Sequence, residues 1–242
     1  METINFRRVY VWELPVRIFH WINALSITVL AVTGLIMANP PAILSGAEAS
    51  DLYWFGTVRF IHFTTAYVFL FNIILRLYWS LVGNKYASWK SFWPFTKKMW
   101  HNFLHVLKVD ILLRHEKHPN VNDLSVGHNS IAAISYVILF LMAFIQVFTG
   151  FGLYASMSDW WLPHLFDWVV PLLGGEFMVR TIHHFTTWAF ILFVIIHVYL
   201  VFYHDWLDWR GEVSSIFGGY KFVSEERFKE AEENKADKDK TT

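Results

Sequence analysis

The sequence contains no cysteine. That excludes disulfides, thiolate-held iron–sulfur clusters, cysteine-bound zinc and the C-x-x-C-H attachment of a c-type haem, so any metal centre must take other ligands. Charge is scarce as well: Asp, Glu, Lys and Arg make up 17% of the 242 residues, against 55% hydrophobic and 19% aromatic. This balance excludes an ordinary soluble domain and puts the chain in the membrane class. Lys and Arg number 20, and so do Asp and Glu. With no net basic charge there is no electrostatic reason to expect nucleic acid as a partner.

What the sequence does have is apolar length. Stretches near 16–38, 59–82, 129–154 and 181–203 each reach the roughly 20 residues that cross a ~30 Å hydrocarbon layer. Helices are predicted for all four, because lipid offers backbone N–H and C=O groups no water and the segments lack a barrel's alternating strands. Arg7 and Arg8 are offset by Glu13, and no small-residue cleavage site follows the first apolar run, so that span is expected to be retained.

Lys and Arg fall two before 16, none over 39–58, seven over 83–128, one over 155–180 and seven after 203. The positive-inside rule then makes both termini cytoplasmic. The segment near 92–114 carries Trp93, Trp100, Phe103 and Leu107 among Lys97, Lys98 and Lys108, which predicts an interfacial stretch and disfavours a fifth span. The expected architecture is an all-α integral membrane protein: a four-transmembrane-helix bundle over 1–223, with a charged cytoplasmic tail over 224–242.

Twelve histidines remain as metal ligands, and histidine is the usual protein ligand of a non-covalently bound haem. Four stand inside spans at positions where a pair could face each other: His20, His62, His183 and His197. His183 and His197 are 14 residues apart, which returns to nearly the same helix face after roughly 21 Å of rise. His184, one residue on, turns away from that face. The first span starts inside and the fourth outside, so His20, about 6 Å in, and His197, roughly 24 Å along, reach one level. His62, about 5 Å from the outer edge, shares the level of His183. Two bis-histidine haem b sites follow, an inner pair His20–His197 and an outer pair His62–His183. His101, His105, His115, His118, His128, His164 and His204 fall in loops or at helix ends without a partner at matching depth.

Around the ligands lies a second pattern. Arg17, Arg59 and Arg180 each precede a proposed ligand by three residues, in RIFH, RFIH and RTIH. An arginine there shares the histidine's face nearer the surface; it either meets a haem propionate or snorkels to the interface. Arg76 follows His62 by 14 residues, and Gly34 follows His20 by the same step. Arg76 thereby reaches the inner level, a further candidate for propionate contact. Gly34 reaches the outer one, where it either admits a macrocycle or packs against a helix, as Gly150 and Gly152 can.

At these residues the chain resembles the b-type cytochrome subunit of membrane-bound nickel–iron hydrogenases. The resemblance rests on RIFHWINALSITVLAVTG from Arg17 to Gly34 and RTIHHFTTWAFILFVIIH from Arg180 to His197. It extends through RLYWSLVGNKY from Arg76, GHNSIA from Gly127 and TGFGLY from Thr149, covering roughly Val9 to Lys221, with Phe185 a small departure. It implies His20, His62, His183 and His197 as axial ligands of two haems. As partners it implies a hydrogenase large subunit with the nickel–iron centre and a small subunit with iron–sulfur clusters, docked on the periplasmic face of a bacterial inner membrane. Electrons would then enter at the outer haem and leave from the inner one to a quinone, menaquinone or ubiquinone. Similarity to related two-haem subunits puts the quinone near the inner haem, with Arg17, Asn23, Arg76 and His128 as its candidate residues. A cytochrome b of formate dehydrogenase or thiosulfate reductase shares this architecture and is the first rival. A non-redox membrane anchor or transporter is the second, and no internal repeat favours it.

Overall fold

A computed structural model describes residues 6–41, 53–84, 86–89, 130–208 and 212–224. The expected interfacial segment 92–114, the tail beyond 224 and His101, His105, His115, His118 and His128 lie outside the described residues. The elements are β1 Phe6–Tyr10, α1 Leu14–Ala38, α2 Trp54–Val82, α3 Ser130–Ala155, α4 Trp161–His164, α5 Val169–Leu172, α6 Glu176–Asp208, α7 Glu212–Gly218 and β2 Tyr220–Ser224. Among them α1, α2, α3 and α6 are long and apolar enough to cross a membrane, four in all. The chain is therefore a helical membrane protein.

Two of the helices begin before the apolar runs do. Helical hydrogen bonding does not stop where hydrocarbon ends, so α2 starts at Trp54 rather than near 59 and α6 at Glu176 rather than near 181. Gly174 and Gly175 hold φ of +86° and +106° just ahead of α6, a left-handed backbone that side chains disfavour and that breaks the preceding helix. Glu176 then occupies the first turn, where the positive end of the helix dipole favours a carboxylate.

Residues 1–223 read from sequence as one domain, but chain packing separates two compact units: Met1–Arg17 with Tyr78–Ile138 and Val198–Thr242, and Ile18–Leu77 with Leu139–His197. In the first, β1 pairs antiparallel with β2, with Arg8 opposite Phe222 and Tyr10 opposite Tyr220. The backbone amides of Val11 and Trp12 donate to the Gly219 carbonyl at 2.8 and 3.0 Å. Gly219 has φ +84°, and a Cβ there would stand 2.6 Å from the Trp12 carbonyl oxygen. This ribbon ties the segment before the first span to the segment after the last, so both flank one membrane face. Nothing in the sequence analysis anticipated it.

The same unit satisfies the polar groups where α1 begins and α2 ends. Glu13 Oε2 accepts from Trp79 Nε1 at 2.9 Å and from the Asn84 amide at 3.0 Å. Asn84 Nδ2 donates to the Val11 carbonyl at 3.1 Å, and its Oδ1 accepts from the amides of Tyr86 and Ala87 at 3.0 and 2.9 Å. This carboxylate and amide thereby give partners to backbone groups in the segments that flank α1 and α2.

The second unit holds segments of all four spans. Its core gathers Phe69, Ile73, Ala143, Val147, Phe151, Leu162 and Phe190. Lipid tails are as apolar as leucine, so helices in membranes associate through close packing and small or hydroxyl residues rather than through hydrophobic burial. Accordingly Ser26, Thr33, Thr149 and Thr186 are buried while Leu25, Phe60, Phe185 and Trp188 are exposed. Gly152 is a packing glycine, since a Cβ would lie 3.1 Å from Val169 Cβ. Beyond the core, His164 Nδ1 meets Asp167 Oδ2 at 3.0 Å and its Nε2 meets the Ser158 carbonyl at 2.8 Å.

Two predictions follow from these contacts. Replacing Glu13 with alanine strands the Trp79 and Asn84 donors; hydrogen bonds to a charged group contribute about 1.5–3 kcal/mol. Thermal unfolding in detergent should therefore shift clearly downward, and an unchanged midpoint would contradict the role. His164 titrates above the ordinary histidine range, first because Asp167 accepts its hydrogen bond and then because the Ser158 carbonyl does. The stabilisation is thus fully present below the unfolded pKa and is lost as pH rises through the higher folded one. In Asp167→Asn the His164 NMR titration should move to lower pH; an unmoved curve refutes the contact.

Candidate functional site

The structure brings His20 of α1 and His197 of α6 together, with ring centroids 6.4 Å apart and planes at 52°. Two metal–imidazole bonds of about 2 Å, plus roughly 1.1 Å from each nitrogen to its ring centre, would put centroids about 6.2 Å apart. The two rings are thus close enough to share one metal. Phe193, one turn before His197, stacks on its ring at 5.5 Å with planes at 13°, and Trp21 meets His20 edge-on at 5.2 Å. Neighbouring aromatics thereby fix both ring planes. His20 Nδ1 is buried with no hydrogen-bond partner among the described residues.

His62 lies on α2 and His183 on α6. Each also rests on a neighbouring helix. Thr33 Oγ1 of α1 stands 2.8 Å from His62 Nδ1, and Thr149 Oγ1 of α3 stands 2.9 Å from His183 Nδ1. The next residue in each case is glycine. A Cβ at Gly34 would lie 3.4 Å from His62 Cε1, and one at Gly150 would lie 3.1 Å from His183 Cε1. Gly150 therefore faces a histidine, not merely a helix. Gln146, one turn earlier, donates to the His183 carbonyl at 3.2 Å and to Thr187 Oγ1 at 2.7 Å, stitching α3 to α6. His184 is exposed and makes no such approach.

The arginines are placed unequally. Arg180 pairs with Glu176 across one helical turn at 3.7 Å, and both are exposed. Arg59 Nη2 stands 3.0 Å from Met157 Sδ, and Arg17 Nη1 donates to the Phe217 carbonyl while its Nε is buried without a partner among the described residues. Arg76 is buried, only 5% exposed, and engaged by neighbouring groups. Asn23 Oδ1 accepts from Asn72 Nδ2 at 2.6 Å, and Asn72 Nδ2 also donates to the Phe19 carbonyl at 3.1 Å. Asn72 is 3% exposed, and its Oδ1 finds no donor among the described residues.

Among the described residues no group of three His, Asp or Glu side chains is gathered that could cage a bare metal ion. Histidines meet in twos, which fits a macrocycle that brings four nitrogens of its own and needs two from the protein. The ring spacing at His20–His197, the two glycines against imidazole edges and the two Thr–His contacts suit a bis-histidine haem at each level. Sequence reasoning missed Thr33, Thr149, Gln146 and Asn72. A signal for the first two was present: Thr-Gly occurs twice, as Thr33–Gly34 and Thr149–Gly150, inside apolar spans.

Comparison with known proteins identifies the family. Residues 11–219 match the family model described as prokaryotic cytochrome b561. A Cupriavidus necator protein named probable Ni/Fe-hydrogenase B-type cytochrome subunit is 37% identical over 222 residues, covering 90% of this chain and 88% of that protein. Its namesake in Azotobacter vinelandii is 37% identical over 223 residues, 90% of each. The probable Ni/Fe-hydrogenase 1 B-type cytochrome subunit of Escherichia coli K12 is 34% identical over 217 residues, 88% of this chain and 90% of that one. With the match running through all four spans, the chain belongs to the prokaryotic cytochrome b561 family.

Proposed function

We propose that this membrane cytochrome b carries electrons from a periplasmic nickel–iron hydrogenase to the quinone pool, holding two haem b between His20 and His197 and between His62 and His183. The observation that carries the reading is the 6.4 Å separation of the His20 and His197 rings, a spacing that two imidazoles sharing one iron would have. The relatives' names point to hydrogenase as the electron source. Both termini face the cytoplasm in this reading, which the pairing of β1 with β2 supports by keeping them on one side and the Lys and Arg distribution supports by sign.

Haem b, when bound, supplies a one-electron iron couple. The chain's own residues determine where that couple sits and what reaches it. With both axial positions filled by histidine, no site is left open for oxygen or another substrate, which suits electron transfer alone. Phe193 and Trp21 hold the inner imidazoles in plane, and Thr33 and Thr149 hold the outer ones. Asn23 and Asn72 form a buried amide pair at the level of His20. The resemblance makes Arg17, Asn23, Arg76 and His128 the candidates for a quinone headgroup, which would need hydrogen-bond partners and protons. Gly34 gives the outer site the clearance a side chain would remove.

The reduced-minus-oxidised spectrum of the detergent-purified protein should quantify as two haem b per chain, with one lost in His62→Ala and one in His197→Ala. A wild-type protein purified in its intact complex without haem would overturn the reading. Membranes holding the complete complex should show b-haem reduction on addition of hydrogen but not of formate, and no reoxidation of the reduced haems by thiosulfate. Reduction by formate alone would favour the formate dehydrogenase alternative.

A further inference from the structure

Two features of the outer histidines are unexplained by ligation itself: each Nδ1 faces a threonine hydroxyl, and each threonine already donates elsewhere. Thr33 Oγ1 donates to the Val29 carbonyl at 2.6 Å, and Thr149 Oγ1 donates to the Ile145 carbonyl at 2.5 Å. A hydroxyl has a single proton. With that proton directed to the helix's own backbone, the oxygen facing the ring, 2.8 Å from His62 and 2.9 Å from His183, acts as acceptor. The imidazole must then carry its proton on Nδ1, which leaves the Nε2 lone pair free.

We infer that Thr33 and Thr149 are paired positioning residues, each locking one outer histidine in the tautomer that presents Nε2 to iron and lowering that site's potential. The inference rests on His62 and His183 being haem ligands. A hydrogen bond from the far ring nitrogen makes an imidazole more basic, and a more basic ligand favours ferric over ferrous iron. The following glycines make the contact sterically available, since Gly150 approaches the ring so closely that a Cβ would stand 3.1 Å from His183 Cε1. At the inner level His20 Nδ1 has no such acceptor among the described residues. The two sites are thereby distinguished by two hydroxyl groups, not by ligand type.

The test is a redox titration of the b-haems in the purified full-length protein within its complex, comparing Thr33→Val and Thr149→Val with Thr33→Ser and Thr149→Ser. In both valine variants the same one of the two midpoints should rise and the other stay. A ten-fold weakened preference for ferric iron reads as about 59 mV for a one-electron couple. Serine should restore the wild-type value. Unmoved midpoints in both valine variants at full haem content overturn the inference, and so do equal shifts in valine and serine. Should a valine variant lose one haem, retention in the serine variant supports the positioning role and loss in both overturns it. His62→Ala reads the underlying assignment separately: retention of both haems there refutes the ligand set, whatever the threonine variants do.

Discussion

An imidazole inside hydrocarbon must have its nitrogens occupied, because an unsatisfied polar group costs several kcal/mol where no water can reach it. Much of the polar chemistry in the second compact unit follows from that constraint. His62 and His183 each satisfy one nitrogen with a threonine hydroxyl. The rings of His20 and His197 stand 6.4 Å apart, with Phe193 stacked on His197. Hydroxyls serve here because they complete their own hydrogen bonds within the helix, adding an acceptor without adding an unsatisfied donor.

Packing obeys the same constraint from the other direction. Bulky apolar side chains gain nothing by leaving lipid, so Leu25, Phe60 and Phe185 face outward and the helix contacts go to Ser26, Thr33, Thr149 and Thr186. Close backbone approach at Gly34 and Gly150 is what lets threonines on α1 and α3 reach histidines on α2 and α6. The helix faces that join are therefore also the faces that hold the site. Outside the spans, where backbone ends need partners, the chain uses charge and strand pairing instead: Glu13 with Asn84, and β1 with β2.

How much of this was legible in the sequence divides along the range of the signal. The four spans were, because hydropathy over twenty residues is a sum that single residues cannot mask; only their ends moved, as helix continues past hydrocarbon at Trp54 and Glu176. The approach of His20 to His197 was legible because antiparallel depth puts position 20 of the first span level with position 197 of the fourth. Other contacts between residues far apart in the chain were not. Thr33 and His62 belong to different helices, and an isolated Thr-Gly in an apolar run reads as helix packing until the neighbouring imidazole is seen. The β1–β2 ribbon was hidden for a related reason, since five residues at each end carry too little pattern to announce a partner more than 200 positions away. The exposed pair of Arg180 with Glu176, one helical turn apart, is a contact that spacing alone could have offered.

The central claim is that each of two irons lies between two histidine nitrogens from different helices. Electron paramagnetic resonance of the oxidised protein, with nitrogen couplings read on a sample labelled with ¹⁵N in histidine alone, addresses it most directly. The account predicts two low-spin ferric signals, each coupled to two labelled imidazoles. A high-spin centre in the intact complex, or a signal coupled to one labelled histidine, would contradict it.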